Sequence, residues 1–130
     1  DEATTLSKYF SALAGKGFPY EFVRVEEYSQ ELVEAGRKLA SKDYFDCFSC
    51  HVQGSKLPEG PPEGWAPDLS LARRRLRPEW IVKWLRDPQK IQPGAKMPSF
   101  FPGGPDDILG GNEEQQIIAL RDYIMSLGER

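Results

Sequence analysis

Apolar residues recur at helical spacing in several separate stretches of the chain. Leu32, Ala35, Gly36, Leu39 and Ala40 follow the i, i+3, i+4, i+7, i+8 rule of a helix with one buried face, and Ser29 stands where a cap is needed. A second set, Trp80, Ile81, Trp84 and Leu85, falls on one helical face, with Pro78 suited to the first turn and Pro88 ending the run. Ile117, Leu120, Ile124 and Leu127 mark a last helix that Asn112 and Gln115 can open as a capping box and Gly128 can stop. Residues 5–14 hold a shorter stripe, Leu6, Tyr9, Phe10 and Leu13, closed by Gly15. After it, residues 18–25 mix aromatic and β-branched positions in partial alternation, which predicts a short extended strand. Residues 67–77 read as a loop and a short helix. Between the helices lie two Pro/Gly-rich loops, 58–67 and 88–111.

Composition narrows this all-helical picture. A chain of 130 residues fits one domain and buries roughly two thirds of its unfolded surface. Its 12 glycines and 11 prolines imply long shaped loops, which need something to wrap around. No stretch approaches the ~20 apolar residues of a membrane span, and the polar opening Asp1-Glu2-Ala3-Thr4-Thr5 suggests a mature or trimmed form. With 17 basic and 20 acidic residues the net charge is −3, which lends no support to a nucleic-acid partner. Two cysteines cannot build a disulfide scaffold.

Those two cysteines and the single histidine all fall in Cys47-Phe48-Ser49-Cys50-His51, the C-x-x-C-H pattern of covalent c-type haem attachment. Thiols three positions apart reach the two vinyl groups of one porphyrin, and the next residue offers its imidazole to the iron. Competing readings fail on inventory. A structural zinc site wants four Cys or His ligands where this chain has three. A thioredoxin-like pair would follow a strand in a βαβ unit, whereas the residues before Cys47 read as helix. A plain disulfide leaves His51 unexplained. With no second histidine, the sixth ligand falls to a methionine, unless the site is open or holds water. Met97 lies in the extended loop Gly94-Ala95-Lys96-Met97-Pro98, which can carry a thioether to the iron. Met125 lies in the last helix, where a methionine is more often packing than ligand.

The order Cys47-x-x-Cys50-His51, Pro67-Asp68-Leu69, Lys96-Met97-Pro98 and a final amphipathic helix resembles class I cytochrome c over residues 32–127. The resemblance implies an all-α cytochrome c fold, short helices and long loops wrapped around one haem c bound through Cys47 and Cys50. It implies His51 and Met97 as axial ligands, Pro67 offering its carbonyl to the imidazole, and Leu69 packing on the ring. Pro98 and Phe100 complete the methionine loop, and Arg77 and Trp84, or Arg75 and Trp80, would contact a propionate. Gly36 and Tyr123 match the glycine and aromatic residue through which the family's first and last helices cross, although the gap from Gly36 to Cys47 is longer than usual.

On this reading residues 31–130 form the cytochrome domain, and residues 1–30 form an amino-terminal extension packed over it. The expected function is one-electron transfer between a quinol-oxidising complex and a terminal oxidase, without enzymatic chemistry of its own. The alternatives are a cytochrome domain of a larger redox enzyme, such as a haem–copper oxidase subunit, or a gas-binding or peroxidase-like haem protein. Covalent haem is assembled outside the cytoplasm, so the resemblance implies a periplasmic or otherwise extracytoplasmic monomer whose signal or anchor has been removed. Residues 73–90 carry a net charge of +5 (seven basic, two acidic) and residues 106–130 a net of −4 (six acidic, two basic). Such a dipole, with Lys96 and Lys56 near the haem edge, would orient the protein toward acidic redox partners.

Overall fold

A computed structural model describes residues 1–19 and 28–128. Among these described residues six α-helices follow one another: α1 (Glu2–Leu13), α2 (Gln30–Ala40), α3 (Ala72–Arg75), α4 (Pro78–Arg86), α5 (Pro88–Ile91) and α6 (Glu113–Ser126). Among the described residues there is no strand or sheet, only the isolated bridges His51 to Ala66 and Gln53 to Lys56. Most of the strand expected over 18–25 lies outside the described residues.

The core forms where α2 crosses α6. Leu39 from α2 and Ile117, Leu120 and Met125 from α6 are fully buried, as their helical spacing requires. Gly36 makes the crossing possible: a Cβ built there would meet the carbonyl oxygen of Ala119 and lie 2.6 Å from Cβ of Tyr123. The backbones therefore approach as closely as only glycine permits. α4 adds Ile81 and Leu85 to the same core, while its opposite face stays in solvent.

The helix ends largely follow the expected chemistry. The Asn112 side chain accepts from the Gln115 amide at 3.0 Å, and Pro78 opens α4. Ser29 stands at the N-cap of α2 but makes no side-chain capping bond. Pro88 does not simply end α4. Asp87 breaks the helix in extended conformation, and its carboxylate then accepts from Lys90 N at 3.3 Å to cap the one-turn α5 that Pro88 begins. α1 starts earlier than the apolar stripe suggests, because the Asp1 side chain caps it through Thr4 N at 2.8 Å.

In α1 the apolar stripe of the amino-terminal extension faces solvent. Leu6, Tyr9, Phe10 and Leu13 each remain more than half exposed, and no residue of the helix is buried.

The long loop before α6 is held from inside. Gln116, fully buried, donates Nε2 to the carbonyls of Pro105 at 2.7 Å and Ile108 at 2.9 Å, and its side chain fills the space that Gly104 leaves by lacking a Cβ. Replacing Gln116 with alanine leaves two carbonyls without their donor and opens a cavity. The expected destabilisation is about 2–3 kcal/mol, read as a lower denaturant midpoint at unchanged m-value.

Candidate functional site

Tyr44 to Asp46 form a tight turn after α2, anchored by Phe45 N donating to Leu39 O at 2.9 Å, and Asp46 takes a left-handed conformation with φ of 50°. This turn accommodates the longer gap between Gly36 and Cys47, and Tyr44 ties it to the far loop by donating to Asp107 at 2.6 Å. A single 3₁₀ turn, Cys47–Ser49, follows, with the His51 amide donating to the Cys47 carbonyl at 3.0 Å. Both thiols are free; Cys47 packs against the core and Cys50 is exposed. Burial pushes the Cys47 thiol up to about 11, so it is a neutral S–H near neutral pH.

Past His51 the chain folds back on itself through backbone bonds. Ala66 N donates to Cys50 O at 2.8 Å, and Leu69 N to Val52 O at 2.9 Å. Asp68 locks the return. Its Oδ1 accepts from Gly54 N, Ser70 N and Ser70 Oγ at 2.7–3.0 Å, and these bonds, Gly54's first, hold the carboxyl below its ordinary range. The result is that the Pro67 carbonyl lies 2.7 Å from His51 Nδ1. A carbonyl oxygen only accepts, so Nδ1 carries the proton and Nε2 keeps its lone pair. Burial lowers the imidazole pKa, a shift that the Pro67 bond partly opposes, which favours the neutral, ligating form.

The methionine loop is held differently, by side chains of α4 and α5. Gln89 donates Nε2 to Ala95 O at 2.6 Å and to Met97 O at 3.4 Å, while its Oε1 accepts from Gly94 N at 3.0 Å. Ser99 donates to Asp87 at 3.2 Å. Trp84 donates its indole N–H to the Met97 sulfur at 2.9 Å. Met97 is half-buried against the core, whereas Met125 is fully buried within it.

The other expected site residues scatter in role. Leu69 opens a 3₁₀ turn and packs against the core from its edge. Pro98 is exposed, and Phe100 stacks on Phe45 at 4.5 Å between ring centroids. Arg77 stands half-buried just before α4, and Arg75 is exposed at the end of α3. Trp84 donates its N–H to Met97, and its ring stacks on Trp80 at 5.2 Å and 15°. No spacing rule foretells that contact, because it joins a helix to a loop thirteen residues on. The Gln89 tether was likewise outside what periodicity reveals, since α5 is too short to show a period.

This donor set suits haem c. An imidazole aimed by its far nitrogen, two unpaired thiols in the same turn, and a thioether on a separate loop are the ligands such a group takes. Among the described residues no group of three or more His, Cys, Asp or Glu side chains is disposed to hold a metal ion. No helix among them is long and apolar enough to cross a membrane.

Comparison with known proteins agrees with the geometry. The family model for cytochrome c matches residues 33–128. Cytochrome c oxidase subunit 2 of Bacillus sp. (strain PS3) is 34% identical over 90 residues, covering 62% of this chain and 23% of that protein. The chain thus spans less than a quarter of that relative's length. No solved structure gives a significant match.

Proposed function

The chain belongs to the cytochrome c family and is an electron-transfer haem domain, and from that premise we propose that it carries single electrons to a terminal oxidase from a quinol-oxidising complex. The observation that carries this reading is His51, held on the Pro67 carbonyl through Nδ1, one residue after the free thiol of Cys50 and four after that of Cys47. Each thiol adds S–H across a vinyl double bond, giving one thioether and one new C–H bond, so attachment through Cys47 and Cys50 needs no oxidant. Haem then supplies a metal that holds one electron in its reduced state. The chain does the rest. His51 and Met97 would be the residues that hold the iron, leaving no place there for oxygen or peroxide, and a soft thioether would favour the ferrous state. Since the same two residues ligate in both oxidation states, little has to move when the electron does.

A second reading, a cytochrome domain within an oxidase subunit, is favoured by the relative, which is itself named as such a subunit and extends far beyond the matched region. In both readings the residues act alike and the acceptor is an oxidase. Assembly of covalent haem places either protein outside the cytoplasm, and the carrier reading takes a monomer.

The test uses the haem-loaded protein. Its colour should survive denaturing electrophoresis, its ferric spectrum should show the weak far-red band of methionine ligation, and the ferrous form should bind carbon monoxide slowly if at all. A terminal oxidase should oxidise it rapidly. A colourless protein ends the haem reading, and rapid carbon monoxide binding ends the six-coordinate carrier. The mass of the native gene product separates carrier from subunit.

A further inference from the structure

The gap between Gly36 and Cys47, longer than in the family pattern, is filled by a turn whose last residues face the segment after Met97. Ser41 to Asp46 fold tightly onto the end of α2: Phe45 N donates to Leu39 O and Asp46 N to Ser41 O, both at 2.9 Å. So held, the turn presents two consecutive side chains. The Phe45 ring lies against Phe100, with centroids 4.5 Å and planes 31° apart, and meets Phe101 edge-on at 5.5 Å. Tyr44 donates its hydroxyl to Asp107 at 2.6 Å. Phe101 is itself buried in the core, so Phe45 rests on firm packing. Phe100 stands three residues after Met97, and Asp46 one before Cys47. The turn therefore joins the two segments that bear the proposed axial ligands through contacts of the protein alone.

We propose that Phe45, seconded by Tyr44, is a positioning residue for the methionine loop: the lengthened turn before the attachment motif braces residues 100–107 and so holds Met97 in place against competing ligands. The proposal rests on Met97 being the sixth ligand. Upstream of the brace, Gln89 and Ser99 tie the loop through exposed polar contacts, whose atoms water can satisfy when the loop lifts. An aromatic contact has no such substitute, because parting two rings exposes both to water. Pro98 stiffens the short connection from Met97 to Phe100. A displacement of Met97 large enough to admit another ligand is therefore passed on to Phe100 and opposed by its contact with Phe45.

The test is Phe45→Ala in the haem-loaded protein, titrated in the ferric state with imidazole and followed by loss of the far-red band. Imidazole should bind about five- to tenfold more tightly than to wild type, the worth of the ring contacts. The melting temperature by far-ultraviolet circular dichroism separates bracing from plain packing. A residue that only fills the core lowers the melting temperature and leaves the imidazole affinity as it was, and that result overturns the proposal. Should Phe45→Ala not fold, Tyr44→Phe decides by the same titration, since it removes only a hydroxyl at the surface. A rise of about threefold in imidazole affinity supports the brace, and an unchanged affinity overturns it. Failure of the underlying reading looks different: Met97→Ala would then leave the far-red band in place.

Discussion

Alanine at Gly36 is expected to destabilise the protein by about 3 kcal/mol, lowering the melting temperature by roughly 10 °C. The added methyl has nowhere to go. It would overlap the Ala119 carbonyl and press on Tyr123, and the first obstacle is helix backbone, which cannot rotate aside. α2 and α6 must separate, and the cost spreads to Leu39, Leu120 and Met125, which interdigitate at the crossing. Alanine is a better helix former than glycine, so an isolated α2 would gain slightly from the change. A loss of stability despite that gain is the mark of the tertiary contact. Larger residues should fail to accumulate as folded protein. Unchanged melting in Gly36→Ala would mean that the crossing is looser than the distances indicate.

Met97→Ala is expected to have the largest effect on function while sparing the fold. Met97 lies only at the edge of the core, so truncation should cost little more than about 1 kcal/mol. At the iron the change is complete, because the chain has no other histidine and its other methionine is sealed inside α6. The far-red band should vanish and carbon monoxide should bind rapidly to the ferrous protein. Exchange of a soft thioether for water or an open position should lower the potential by a sizeable part of the roughly 0.8 V over which axial ligands tune haem. Spectroscopy and redox titration of the covalently loaded variant check all three. Retention of the band would transfer the ligand role to another residue.

Much of this arrangement is legible from the chain, for identifiable reasons. The crossing of α2 and α6 shows in the sequence because helical periodicity is regular and Gly36 interrupts it where a side chain would otherwise stand. The attachment motif shows because its chemistry demands adjacent residues. His51 and Pro67 lie sixteen positions apart, and only the family resemblance joined them; the structure explains the join through Asp68 and the backbone bonds that fold the loop. What stayed hidden are contacts between side chains and irregular backbone. Gln116 under the 105–108 segment, Gln89 under the methionine loop and Tyr44 on Asp107 obey no period. Pro88 was expected only to end a helix, and the part of Asp87 as the cap of α5 depends on an extended conformation that no local propensity announces. The exposed apolar stripe of α1 marks the opposite limit: amphipathic spacing identifies a helix but does not say what the helix rests on.

The two flanks of the proposed haem site are built of different material. On the histidine flank, main-chain bonds between residues 50–52 and 66–69 close the loop, and no substitution short of proline at a donor removes one of them. On the methionine flank the tethers are side chains, those of Trp84, Gln89 and Asp87, each erasable by one codon. The frame that aims the imidazole is thereby shielded from most side-chain changes, whereas the surroundings of the thioether are left adjustable. A lineage built on this scaffold can vary the surroundings of Met97 while the backbone that presents His51 stays as it is.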